Sequence, residues 1–402
     1  MPFTPLHTTP VRRLLLFNPD NDLALANGDA NFQPPASALR LARDLRTLPL
    51  WWGEPDATLL IYADPVPKDA ICEPWGWSAA ARARFLRAGV SAASLPSPEA
   101  IARLRELSHR RTGILLLEAL RRGYPHLNRL PEDPQLLTST AEAESYIAAR
   151  PDGVVLKAPW SSSGKGILWS RSLNNPSARI STIIRKMGGI LAEPHYRRIA
   201  DFAMLFRSDA SAAEPDGRVA FAGYSLFTTD ELGAYHGNLL LSDEAIEARL
   251  SQYAPLSYFA DLRAALCREL SKLVGEAYSG FLGVDMMVIA VADADGIEQY
   301  LVHPCVELNL RMTMGMVARI FADRYMAPGA SGTFAVLHAA PGELLRRYPE
   351  RESADAEWAD GRLRRGRVCL TPVYGDTEYT VVVECRGDGL QRESPVSPMP
   401  AL

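Results

Sequence analysis

"FLGVDMMVIAVADADGIEQYLVHPCVELNLRM", Phe281 to Met312, decides how the rest of the chain is read. Two apolar runs flank Asp293 to Gly296, a turn composition, so the stretch predicts a β-hairpin. In its second arm Glu307, Asn309 and Arg311 fall at i, i+2 and i+4. On a strand these three face one side, with Leu308 and Leu310 on the other. The first arm carries Asp285 among apolar residues, about opposite Cys305 to Glu307. Two carboxylates and an amide on one face supply the oxygen donors that a hard cation such as Mg²⁺ prefers. Without a cation, carboxylates about 5 Å apart at an effective dielectric of about 20 repel by roughly 3 kcal/mol. The bland reading is a solvated face with Glu307 and Arg311 as a surface pair. The alternating leucines and the apolar partner arm count against it.

Upstream, "VVLKAPWSSSGKGILWS" runs from Val154 to Ser170. It places Lys157 at the end of an apolar strand and a Ser/Gly loop after it. A P-loop needs GxxxxGK[ST] between a strand and a helix. Here Gly166 follows Gly164-Lys165, Pro159 stands where the first glycine belongs, and "ILWS" reads as a strand. The loop therefore predicts a lid between two antiparallel strands, whose small residues let backbone N–H groups close on phosphate oxygens.

The remaining elements follow from periodicity and caps. Leu14 to Phe17 and Ala57 to Ala63 read as strands, with a polar loop from Asn18-Pro19 and a helix over "PASALRLARDLRTL" between them. Ser139 with Glu142 is a capping box that opens a helix. "GVVLKA", "ILAEP", "DFAMLFRSD" and "RVAFAGYSLFT" read as strands, Pro176 starts a helix that Gly188-Gly189 ends, and "FADLRAALCRELSKLVGEAYS" is an amphipathic helix. Thr313 caps another, and the tail carries a hairpin in "RVCLTPVYGDTEYTVVVEC". The expected organisation is an N-terminal α/β domain (1–106), two α+β units (107–190 and 191–330) and a C-terminal extension (331–402).

The order of these parts resembles the ATP-grasp superfamily. The resemblance rests on "VVLKAP", "SSSGKG", "LAEPHY", "DFAMLF", "FLGVDMMVI" and "VELNLRMTMG", within roughly Leu107 to Ala327. It implies an α/β (α+β) class: an ATP-grasp fold of two α+β subdomains behind an N-terminal Rossmann-like pre-ATP-grasp domain. It further implies ATP with Mg²⁺ or Mn²⁺. Lys157 is similar to the family lysine on the α- and β-phosphates. Ser161, Ser162, Ser163, Gly164, Lys165 and Gly166 resemble the phosphate lid, with Lys165 serving turnover more than binding. Glu193 falls where the hinge reads adenine, and Asp201 resembles the ribose acid. Asp285, Glu307 and Asn309 resemble the metal ligands, and Arg311 the arginine near the transferred phosphate. Arg110 or Arg111 stands where a further phosphate-binding cation is frequent. Gly283 departs from the pattern of D-alanine–D-alanine ligase, which has an arginine there. Asn18, Asp20 and Asn21 are acceptor-site expectations against an Asx-turn reading. His236 and Asn238 are weighed as substrate contacts against structural roles.

Composition bounds the class. The chain has 402 residues, 47% hydrophobic and 22% charged, with net charge −4. That argues against a general nucleic-acid binder and for two or three globular domains. Cys72, Cys267, Cys305, Cys369 and Cys385 form no CxxC pair. That fits a reducing compartment, and the expectation is a cytoplasmic protein without a membrane segment. The function expected is an ATP-dependent ligase that joins a small-molecule carboxylate to an amine through an acylphosphate, with a homodimer as the candidate assembly. The alternatives are an ATP-grasp kinase and a non-catalytic nucleotide-binding protein.

Overall fold

The computed structural model describes residues 12–161, 166–170, 176–230, 235–292 and 295–387. The chain is a mixed α/β protein. Among the described residues its strands form three sheets.

The first is a parallel sheet of β1 (Arg13–Leu16), β2 (Ala57–Leu59) and β3 (Ile71–Pro74), with β1 central. Leu14 and Leu15 are fully buried, as a central parallel strand requires. Helices α1 (Asn21–Asn27), α2 (Ala36–Asp44), α3 (Ala79–Ala88) and α4 (Pro98–Leu107) surround it. Two expectations are corrected here. The polar loop after β1 is largely α1, because Asn18-Pro19-Asp20 makes only a single turn before the helix, which Gly28 ends at φ 77. The strand at 57–63 stops at Leu59, and Leu60–Tyr62 is a 3₁₀ turn with Ile61 and Tyr62 exposed.

After α5 (Arg111–Gly123), the second sheet has the order β4-β7-β5-β6, built from β4 (Gln135–Leu137), β5 (Val154–Lys157), β6 (Ile167–Trp169) and β7 (Ile190–Pro194). It is antiparallel throughout. Helices α6 (Thr140–Ala148) and α7 (Pro176–Met187) cover one face. The Ser139 hydroxyl caps α6 by accepting from the Glu142 N–H, while the Glu142 carboxylate accepts from the Thr138 N–H.

The third sheet is antiparallel: β12-β11-β8-β9-β10-β13-β16-β15-β14. Its strands are β8 (Arg197–Ser208), β9 (Val219–Thr229), β10 (Tyr235–Leu240), β11 (Gly280–Ala292), β12 (Glu298–Asn309), β13 (Ser331–His338), β14 (Glu357–Ala359), β15 (Arg362–Cys369) and β16 (Tyr379–Gly387). The sheet runs unbroken through residue 330, since β10 pairs with β13. The expected tail hairpin is β15–β16. Helices α5 and α9 (Leu256–Leu273) pack on one face around Phe202, Phe259 and Leu266. Helix α10 (Met314–Tyr325) packs on the other, over Phe321, Phe334 and Val381. Among the described residues the remaining α-helices are α8 (Asp243–Leu250) and α11 (Glu343–Arg347). No helix among the described residues is long and apolar enough to cross a membrane.

Candidate functional site

The hairpin forms as its alternation predicts, and its register builds the site. Asp285 lies directly opposite Glu307, and Gly283 opposite Asn309. Directly opposed residues point to the same face, so the two carboxylates converge. The register then shifts between Asp285 and Met287. Pro304, which has no N–H to give, falls in that irregular stretch on the edge strand of the sheet, where proline is tolerated. On β8, Asp201 lies opposite Met287 and Ala203 opposite Asp285, which puts Asp201 on the face of Asp285. Asp201 accepts from the Thr229 hydroxyl at 2.7 Å and pairs with Arg198 at 3.2 Å. Burial raises its pKa in spite of Arg198.

The Asn309 amide donates to Asp285 Oδ2 at 3.0 Å. Burial, and next the Glu307 charge, push the Asp285 carboxyl up to about 7. No cluster of three or more His, Cys, Asp or Glu that could hold a metal occurs among the described residues. The oxygen donors here are two carboxylates and one amide. The opposed pair Asp285–Glu307 suits a hard divalent cation, whose charge would offset the cost of burying two facing carboxylates.

Three cations face these acids. Lys157, at the end of β5, is buried, and its Nζ lies 2.5 Å from Glu193 Oε1 on the neighbouring strand β7. It also donates to the Val306 carbonyl, within the irregular stretch of β12, at 3.4 Å. Burial would raise the Glu193 carboxyl, but Lys157 and then His303 outweigh it and hold it well below the usual range. The fully buried His303 Nε2 lies 3.5 Å from Glu193 Oε2, without the alignment of a hydrogen bond. The Glu193 side chain is thus spoken for by Lys157.

Arg110 is the second cation. Its Nη2 lies 2.9 Å from Glu307 Oε1 and donates to the Ser161 hydroxyl at 3.1 Å, while Nε donates to the Ala158 carbonyl at 3.1 Å. Arg111 is exposed, so Arg110 is the member of that pair that reaches the site. On the same helix a Cβ on Gly113 would stand 3.3 Å from Cys305 Sγ, so the glycine lets α5 lie close against β12. Lys157, Arg110, Glu193 and Glu307 line one cleft.

Arg311 is the third, and it departs from the expected common face. Strand β12 ends at Asn309, so Arg311 lies beyond it, clasping Asp22 of α1 while it lines one pocket with Glu307 and Asn309. Asp22 escapes sequence reading, because the partners are 289 positions apart. The neighbouring expectations have structural partners instead. Asn18 donates to the Gly76 carbonyl at 2.8 Å. Asn21, with its amide turned to satisfy both groups, donates to Gly76 and Trp77 carbonyls. Asp20 is buried, and burial raises its pKa. Buried Asn238 is held by Ser225 and Tyr235, while His236 is exposed.

The base of the Ser/Gly loop is pinched. Ala158 N–H donates to the Gly166 carbonyl at 2.9 Å, and a Cβ on Gly166 would lie 2.3 Å from Ser161 Cβ. Ser161 is buried and Gly166 half-buried; Ser162, Ser163, Gly164 and Lys165 lie outside the described residues, as does Asp293 of the hairpin turn.

No family model and no curated protein matches the chain. Among solved structures it is similar to an ADP complex of N5-carboxyaminoimidazole ribonucleotide synthetase, at TM-score 0.48 and 11% identity over 95% of this chain and 94% of that one. It is similar to biotin carboxylase from Campylobacter jejuni in a β,γ-ATP complex, at TM-score 0.48 and 11% identity over 94% and 87%. It is also similar to L-amino acid ligase from Bacillus licheniformis, at TM-score 0.46 and 10% identity over 96% and 95%. These matches run across nearly the whole chain at low identity.

Proposed function

We propose that the chain is an ATP-dependent ligase of the ATP-grasp type, joining a small-molecule carboxylate to an amine. The observation that carries this reading is the opposed pair Asp285–Glu307, with Asn309 bonded to Asp285, beside a cleft that holds Lys157 and Arg110. Without ligand the charges neutralise one another: Lys157 on Glu193, Arg110 on Glu307, Arg311 on Asp22. A nucleoside triphosphate with its divalent cation would bring both signs of charge to this site, where Lys157 and Arg110 can change partners while Arg311 stays on Asp22. Phosphate oxygens take Lys157 and Arg110. Glu307, Asp285 and Asn309 would be the oxygen donors that hold the cation. Asp201, on the same face, is the acid for the ribose hydroxyls, and the backbone beside Glu193 meets the base.

The bound cation would supply neutralisation of charge on the transferring phosphoryl group. A substrate carboxylate oxygen bonds to the γ-phosphorus as the bond to the ADP oxygen breaks. The amine nitrogen then bonds to the acyl carbon, the acyl C–O bond breaks, phosphate leaves, and the amine gives up its proton. The protein's part is to position the reactants in line and present cations where charge develops, which needs no nucleophilic side chain. The test is phosphate release from Mg-ATP with a panel of amino acids and dipeptides, followed by product mass. Amide plus ADP and free phosphate is expected. A stable phosphorylated acceptor would make the chain a kinase, and no ATP binding at all would end the reading.

A further inference from the structure

We propose that Asp22 is a positioning residue that keeps Arg311 away from Asp285 and Glu307, so that those carboxylates remain open to a divalent cation. This rests on the proposed reading of Asp285, Glu307 and Asn309 as a cation site. Asp22 belongs to α1 of the N-terminal unit, whereas Arg311 follows the strand that carries Glu307 and Asn309. Arg311 Nε donates to both carboxylate oxygens at 3.1 Å, and Nη2 donates to Oδ2 at 2.8 Å. Its Nη1 donates to the Met312 carbonyl at 3.2 Å. The guanidinium is thus fixed along one edge and at one end. The next residue is tied to the same unit, since Met312 N–H donates to the Trp75 carbonyl at 2.9 Å. Both partners are largely buried, with side chains 14% and 16% exposed, so solvent screens the pair little.

The need for a tether follows from what else surrounds Arg311. After Asp22, the anions that act on it are Glu307 and Asp285. Arg311, Asp22, Glu307, Asn309 and Arg110 line one narrow pocket. With Asp22 neutralised, the anions left to attract this buried, permanently charged guanidinium are Glu307 and Asp285. Arg110 already sits on Glu307, but it also holds Ser161 and Ala158 at the loop base, where phosphate oxygens can draw it off. Arg311 in the same place would have no such exit and would stand in for the cation. A unit charge moved a few ångströms closer to a divalent ion at an effective dielectric of about 20 lowers cation affinity by at least about tenfold.

The experiment is Mn²⁺ binding followed by electron paramagnetic resonance, with saturating ADP, on the full chain. Asp22→Asn should weaken Mn²⁺ by about tenfold or more. Asp22→Glu, which keeps the charge, should remain near wild type. Asp22→Asn with Arg311→Met, which removes the competitor, should regain wild-type affinity. That recovery is not expected if Asp22 merely props up the fold. Where Asp22→Asn fails to fold, Asp22→Ser takes its place in the same comparison. Unchanged Mn²⁺ affinity in the single variant, or no recovery in the double, overturns the role of Asp22 alone. A wild-type chain that binds ADP but no Mn²⁺, or neither, overturns the cation-site reading and this inference with it.

Discussion

Replacing Lys157 with methionine separates what the lysine does for the fold from what it does for the ligand. Its Nζ lies 2.5 Å from Glu193 Oε1, and at an effective dielectric of about 20 the gross attraction is about 7 kcal/mol. Most of that offsets the desolvation of two buried groups. Removing one partner leaves the other charge buried, which costs about 3–5 kcal/mol. Lys157→Met should therefore lower unfolding free energy by that amount in denaturant titrations. Lys157→Met with Glu193→Gln should recover most of it, because a neutral pair of similar shape replaces the ion pair. Nucleotide binding should behave differently. Both variants lose a charge-assisted contact to phosphate worth about 1.5–3 kcal/mol, so Mg-ATP affinity by calorimetry should fall about ten- to a hundredfold in each. A stable double variant with wild-type affinity would refute Lys157 as a phosphate ligand. A single variant as stable as wild type would refute the energetic weight given to the pair.

Glu307→Gln should still fold and bind ATP through Lys157, yet lose most Mg²⁺-dependent ATP turnover, because the metal acts on charge developing in the transition state; turnover assays at saturating ATP check this. Asp285, raised to about 7, has a native pKa above its unfolded value. Its contribution to stability is full below about pH 4 and is lost as pH rises through about 7, so ligand-free protein should melt lower at pH 8 than at pH 6, and Asp285→Asn should flatten that slope. Gly166→Ala puts a methyl 2.3 Å from Ser161 Cβ, so the loop base must open, with an expected loss of about 1–3 kcal/mol in thermal or denaturant unfolding.

Much of this architecture was legible where local chemistry dominates. The period-2 alternation around Glu307 gave the hairpin and nearly its register, because a buried sheet face penalises any slip. Ser139 and Thr313 cap their helices as their side chains dictate, each accepting from the N–H three residues on. Lys157 and Arg110 were recognisable as cations near the loop, but the sequence could not choose between Arg110 and Arg111. The folded chain makes that choice: Arg110 pairs with Glu307, while Arg111 is exposed. The chain after β1 was misread because Asn18-Pro19-Asp20-Asn21 has turn composition, and only packing against Gly76 and Trp77 shows that Asn21 opens a helix. The partners of Lys157 and Arg311 were hidden for a related reason. Glu193 meets Lys157 across two strands, and Asp22 meets Arg311 from another unit, so neither pairing has a local signature.

The central claim is phosphoryl transfer to a carboxylate that ends in an amide, and isotope transfer tests it most directly. Amino acids carrying ¹⁸O in their carboxylates are incubated with the protein, Mg-ATP and unlabelled amine acceptors, and the released phosphate is analysed by mass. If a carboxylate oxygen attacks the γ-phosphorus and the amine later breaks the acyl C–O bond, each phosphate carries one ¹⁸O and one amide forms with it. Phosphate without label, or label retained in a stable phosphorylated product, would contradict the ligase account.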